Sequence, residues 1–87
     1  MATTTGQNAL SVTAEVIFAA NRGVTFREVT NQDGSIAVYI GPADTVTTST
    51  GHLLGAGKSF SMEGEAARRA WYAIAASGTP TITTIEW

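Results

Sequence analysis

The chain has 87 residues, of which 44% are hydrophobic and only 14% charged, with a formal charge of −2 and no cysteine. An average globular protein carries about 25% charged residues, so this surface must be wetted by Thr, Ser, Asn and Gly or covered by other subunits. Five Lys and Arg are too few for a phosphate-backbone binder, the lack of cysteine excludes disulfides and thiolate metal sites within these residues, and no apolar run approaches the roughly 18 residues of a membrane span. The composition therefore predicts one soluble, unexported domain with no nucleic-acid or membrane partner. A domain this small buries only about 60–65% of the surface its unfolded chain exposes, so assembly with other copies or proteins is expected.

Residues 1 to 9 are polar and Thr-rich without a repeating pattern, and read as a flexible N-terminal arm that either frays or orders on a neighbour. Residues 10–87 read as a single β-sandwich domain. From Leu10, the run LSVTAEVIF places Leu10, Val12, Ala14 and Val16 on one face at a period of two, as in a half-buried strand. Turn chemistry at Asn21-Arg22-Gly23 ends it. Val24 to Thr30 alternates again, and Asp33-Gly34 is a strong hairpin signal that predicts Ser35–Ile40 as the returning strand.

Gly41-Pro42-Ala43-Asp44 reads as a loop, and Val46–Thr50 as a strand because its β-branched side chains suit a pleated surface. His52-Leu53-Leu54 is a short apolar step, and Lys58 to Met62 alternates once more. Glu63–Ala76 mixes good helix formers with Trp71-Tyr72-Ala73-Ile74. It reads as one helical turn around Glu65–Arg69, supported by an i,i+4 Glu65–Arg69 pair, followed by a strand from Ala70 to Ala76. Thr81–Trp87 is a final strand and a plausible subunit edge. Short strands at 8–12-residue spacing with Gly, Pro, Asn and Asp between them predict an all-β fold, a small antiparallel β-sandwich or jelly-roll-like barrel.

No chemistry-bearing motif survives inspection. GHLLGAGKS at 51–59 approaches a phosphate-binding loop, G-x-x-x-x-G-K-[ST], but His52 stands where the first glycine belongs. Such a loop must also lead into a helix whose N-terminus faces the anion, whereas Phe60-Ser61-Met62 continues as a strand. The segment reads as a glycine turn with an exposed Lys58. His52 is the only histidine, and nothing local orients it towards Ser49, Ser59 or Asp44. Asp33 is explained by its turn, and Asp44, Glu63 and Glu65 by solvated loops. The expectation is a non-enzymatic protein without metal or cofactor. Trp71 and Tyr72 are adjacent, so one of them faces the core and the other is available to an interface or a sugar ring. Trp87 reads as an interface or end-capping residue.

Val38-Tyr39-Ile40-Gly41, Val46-Thr47-Thr48-Ser49-Thr50-Gly51, Leu53-Leu54, Gly57-Lys58-Ser59-Phe60 and the stretch from Trp71 to Thr79 together resemble small tailed-bacteriophage virion structural proteins. The resemblance spans residues 10 to 87, is most specific at YAIAASGT, and departs from the usual pattern at Glu63–Arg69. It implies a compact β-sandwich that decorates or cements a capsid by bridging major capsid protein subunits, located in the virion after synthesis in the host cytoplasm. It carries no catalytic residue to this chain. A head–tail, neck or tail-fibre-base component and a carbohydrate-binding module are the alternatives. Composition and resemblance together predict self-association, as a homotrimer, with Thr3, Thr4, Thr5, Trp71, Tyr72, Ile85 and Trp87 as interface candidates.

Overall fold

Period-two runs rich in β-branched and aromatic residues pair here mostly over long sequence distances, and only one pair of consecutive described strands lies side by side. The computed structural model describes residues 3–87. Its strands are β1 (Thr4–Ala9), β2 (Glu15–Phe18), β3 (Phe26–Asn31), β4 (Val38–Gly41), β5 (His52–Leu54), β6 (Ser59–Glu63), β7 (Trp71–Ala75) and β8 (Thr81–Glu86), with one helical turn, α1 (Glu65–Arg68), between β6 and β7. Sheet A has the order β1-β8-β3-β6 and sheet B the order β2-β7-β4-β5. Every pairing is antiparallel.

The pairs β1–β8, β2–β7, β3–β6 and β4–β5 describe a single long hairpin, tipped at β4–β5, whose arms alternate between the two sheets. That is a jelly roll, an architecture of two four-stranded sheets. The fold is thus the expected small β-sandwich, and it is open at the sheet edges rather than closed into a barrel.

The core lies between the sheets. Val29, Ile82 and Met62 of sheet A meet Val38, Ile40, Leu54, Ala73 and Ala75 of sheet B, with Leu10, Phe18 and Val24 closing the ends. Ala73 and Ala75 are small, so the large residues of the facing sheet interdigitate above β7. α1 buries Ala67, and Arg69 bonds Glu65 at 3.1 Å in the i,i+4 arrangement expected from the sequence.

Several expected elements fall elsewhere. The run from Leu10 forms a strand only at Glu15–Phe18. Leu10 is buried while Val12 and Val16 are exposed, and a register shift between Val16 and Phe18 turns Ile17 and Phe18 inward together. Val24–Thr30 and Ser35–Ile40 do not form a hairpin, since β3 belongs to sheet A and β4 to sheet B. The Asp33 carboxylate accepts from the amides of Ser35 and Ile36, both at 2.8 Å, and turns the chain from one sheet to the other.

Val46–Thr50 is not a strand but a turn. The Thr47 hydroxyl accepts from the amides of Ser49 and Thr50, and the Thr50 hydroxyl from the amide of Thr47. These local bonds compete with a sheet ladder. Finally, β8 is not an edge: β1 flanks it on one side and β3 on the other.

Candidate assembly surfaces

The outward face of sheet A is polar. In register, Gln7, Thr83, Thr30 and Ser59 form one row across the four strands, and Thr5, Ile85, Glu28 and Ser61 the next. Thr30 and Ser59 share a hydroxyl bond of 2.7 Å, and Gln32 donates to Thr83 at 3.0 Å. An open hollow on this face is lined by Thr5, Gln7, Glu28, Thr30, Thr83 and Ile85. At one end Trp87 stacks on Phe26, ring centroids 4.4 Å apart, and its carbonyl accepts from the Thr25 and Phe26 amides. Trp87 therefore closes the end of the sheet, with one side of its ring left to solvent.

The outward face of sheet B is apolar. Tyr39 stands between Leu53 on β5 and Ile74 on β7, and Tyr72 stands beside Val16 on β2. Leu53 and Val16 are 55% and 54% exposed; Tyr39, Tyr72 and Ile74 are half-buried. No charged residue stands among these five. Gly41 and Gly51 permit Val46 to seal one margin: a Cβ on Gly41 would lie 2.7 Å from the Val46 side chain, and one on Gly51 2.7 Å from that of Tyr39.

The interior holds two polar anchors that composition did not reveal. Arg27 is fully buried. Its Nε donates to Glu86 Oε2 at 2.6 Å, and its two terminal nitrogens donate to the carbonyls of Arg69 at 2.8 Å and Ala19 at 2.6 Å. Its guanidinium carbon lies 4.8 Å from the Phe18 ring centroid. Asn31 donates to the carbonyls of Ile36 and Leu54 and accepts from the Asp33 amide, fastening the crossing between sheets. Each buried side-chain nitrogen and oxygen of the two sites has a partner, as an unpartnered polar group would cost more than the bond itself. An arginine paired in register with a glutamate across β3 and β8 is the signal that would have found the first.

The interface candidates separate. Thr3, Thr4 and Thr5 are exposed, the latter two on β1, and Thr5 lies opposite Ile85 on the polar face. Trp71 turns inward: it packs edge-on against Phe60, centroids 6.1 Å apart, and its indole donates to the Ala66 carbonyl at 2.8 Å. Tyr72 turns outward onto the apolar face. Thr4 to Ala9, read as part of an arm, pair in full with β8 of the same chain while all six remain exposed; Met1 and Ala2 lie outside the described residues. The far edge of β1 has no partner strand among the described residues.

At 51–59 the Gly57 amide donates to Asn31 and the Lys58 amide to Gly55, so both are engaged within the chain, and Ser59 opens β6. A further open hollow lies beside Pro42, Asp44, Arg68, Arg69 and Tyr72, where Arg69 faces Glu65 and Arg68 donates to the Val24 carbonyl. Among the described residues no three His, Asp or Glu gather as a metal site, no buried side-chain nitrogen or oxygen lacks a partner, and no helix is long and apolar enough to cross a membrane.

No protein-family model matches the chain, and no curated protein matches it by sequence. Among solved structures it is similar to a chain of the Bacillus endospore appendages, described as a novel family of disulfide-linked pili. The TM-score is 0.54 at 14% identity, over 99% of this chain and 84% of that one. Identity this low shows a shared fold. The disulfide linkage named for those pili has no counterpart here, because these 87 residues contain no cysteine.

Proposed function

We propose that the chain is a non-enzymatic structural subunit of a large particle, and that in a virion it decorates or cements the capsid by bridging neighbouring major capsid protein subunits. One observation carries the reading. β1 presents six exposed residues with no charge, no proline and no bulge, and one of its edges is unpaired. Monomeric sandwiches protect such edges with charge, proline or irregularity, and an edge left open is a template for an added strand. The jelly-roll topology, which is also that of viral capsid domains, and the resemblance of residues 10–87 to virion proteins support the same reading.

The test is the position and stoichiometry of the protein in purified particles. The expected result is regular occupancy on the shell, reduced by deletion of residues 1 to 9. Absence from particles would refute the reading, and unchanged occupancy after deletion would remove β1 from it.

A second reading, a filament or appendage subunit, is favoured by the shared fold with the Bacillus appendage chain. Electron microscopy of the purified protein separates the two, since only the second predicts filaments of this chain alone.

A further inference from the structure

We infer that β1 is an exchangeable strand, and that the edge of β8 beside it is a binding site for residues 4–9 of a second copy. The exchange deepens the proposed function and rests on it only for the close array of neighbouring copies.

β1 differs from every other described strand. Each of β2 to β8 buries at least one residue, whereas all six residues of β1 are exposed. Ile82 is buried and stands opposite Asn8, so Thr4, Gly6 and Asn8 share its side of the sheet. They are exposed even there, so sheet B does not reach under β1. A backbone ladder with no apolar burial behind it is what holds this strand.

The phase of that ladder is set at its root. Leu10 is buried, and its amide donates to the Pro80 carbonyl at 2.8 Å, while the next carbonyl, of Ser11, accepts from the Ala75 amide. Bonded and non-bonded pairs alternate along an antiparallel ladder, so Asn8 bonds Ile82 and Gly6 bonds Thr84, whereas Gln7 and Thr83 form a close pair without backbone bonds. On the other side of β8 the Gln32 amide donates to the Thr81 carbonyl. The amides of Ile82 and Thr84 therefore serve β1, and those of Thr83 and Ile85 serve β3.

Ordering the backbone of a residue costs about as much as its net hydrogen bond returns, so β1 opens without the core. Its departure leaves β8 with a row of unmet amides and carbonyls. The segment already bound there identifies the occupant. Residues 4–9 fill this edge in register within one chain, and the same residues of another copy make the same bonds, with no charge in TTGQNA to oppose the approach. Exchange of an identical element is a low-cost route to assembly, and Leu10, seated in its own core, is the pivot. A tethered strand competes at an effective concentration of the order of millimolar. Dilute chains therefore stay closed, and copies crowded on a shell exchange.

Two experiments on the whole chain test this. Amide hydrogen exchange is expected to alternate along β8, with Ile82 and Thr84, together with Gly6 and Asn8, at least about 100-fold faster than Thr83 and Ile85. Separately, Gln7→Cys and Thr83→Cys variants are mixed at about 100 µM and oxidised with glutathione disulfide. The protein has no cysteine of its own, so a disulfide between positions 7 and 83 of different chains records the arm of one lying on β8 of the other. Gln7→Cys mixed with Thr30→Cys, one strand further along the same row, measures random collision, and the 7-to-83 product is expected to exceed it at least about 10-fold. A chain carrying both Gln7→Cys and Thr83→Cys closes the disulfide within itself, and its Ile82 and Thr84 amides then slow to the rate of their neighbours.

Uniform exchange along β8, a 7-to-83 product no greater than the 7-to-30 one, or a locked chain whose Ile82 and Thr84 amides stay fast would overturn the inference. Chains that never exchange yet occupy particles would sink it and leave the proposed function standing, whereas exchanging chains absent from every particle would do the reverse.

Discussion

Arg27 and Glu86 face each other in register on β3 and β8 with Nε and Oε2 2.6 Å apart, between the sheets of a domain with very few charges. The guanidinium also holds the carbonyls that follow β2 and α1, at Ala19 and Arg69. One side chain thus ties together both sheets and the helical turn.

Removing the guanidinium should therefore cost more than neutralising its partner. Arg27→Ala leaves a carboxylate and two carbonyls without donors and is expected to lower stability by about 3–5 kcal/mol. Glu86→Gln retains an acceptor at the rim and is expected to cost about 1–2 kcal/mol. Urea denaturation of both variants checks the order, and equal effects would show that the carbonyl bonds contribute nothing.

Burial separates two β-branched residues that read alike in sequence. Ile82→Ala opens a cavity between the sheets and is expected to cost about 2–5 kcal/mol. Val12→Ala, at an exposed site, should stay within about 0.5 kcal/mol. A Val12→Ala loss as large as that of Ile82→Ala would place the N-terminal run in the core after all.

Gly51 is fixed by crowding, since an added Cβ would lie 2.7 Å from Tyr39, 2.9 Å from Val46 and 3.0 Å from the Thr47 carbonyl. Gly51→Ala is expected to destabilise by about 1–3 kcal/mol. Gly34 has nothing within 4 Å of such an atom, so Gly34→Ala should change the melting temperature little. The pair of melting curves tests whether the 42–51 loop is seated on β4 as described.

The backbone amides of Ile36 and then Ser35 hold the Asp33 carboxyl below its ordinary value. A carboxylate with a depressed native pKa adds stability above its unfolded pKa and loses it as pH falls through the native one. The contribution of Asp33 is thus complete at neutral pH and disappears in acid below about pH 4. Asp33→Asn should remove that part of the acid dependence, and carboxyl-carbon NMR titration of Asp33 reads the shift directly. A midpoint at or above the ordinary value would contradict the turn geometry.

Much of this fold was legible because period and turn chemistry are local. The strands at β3, β6, β7 and β8, the single turn at Glu65–Arg68 and the sandwich class all follow from alternation and punctuation. Partner choice does not. Asp33-Gly34 reads as a hairpin, yet the strands it joins separate into different sheets because each finds its partner far along the chain, β3 in β6 and β8, β4 in β5 and β7.

Which face of β3 turns inward is not legible from hydrophobicity, because two polar residues there have buried partners. On β3 the inward positions are Arg27, Val29 and Asn31 while Phe26 points out, the inverse of a simple hydrophobicity count. Of the candidate surfaces, the adjacency of Trp71 and Tyr72 revealed that one must point outward. The apolar face to which Tyr72 belongs emerged only once β2, β4 and β5 were placed beside β7.

Because β1 lies against β8 with Thr4 opposite Glu86, the two ends of the described chain emerge side by side at one pole of the sandwich. A short linker can therefore join them, and new ends can be cut in the exposed stretch at 47–50, between the strands at the hairpin tip. Circular permutants of this kind are tolerated where the opened backbone is exposed. Pro42 shares a hollow with Arg69, whose carbonyl Arg27 holds beside Glu86, so the new ends open at the same pole as the old ones and such a permutant keeps fused cargo there.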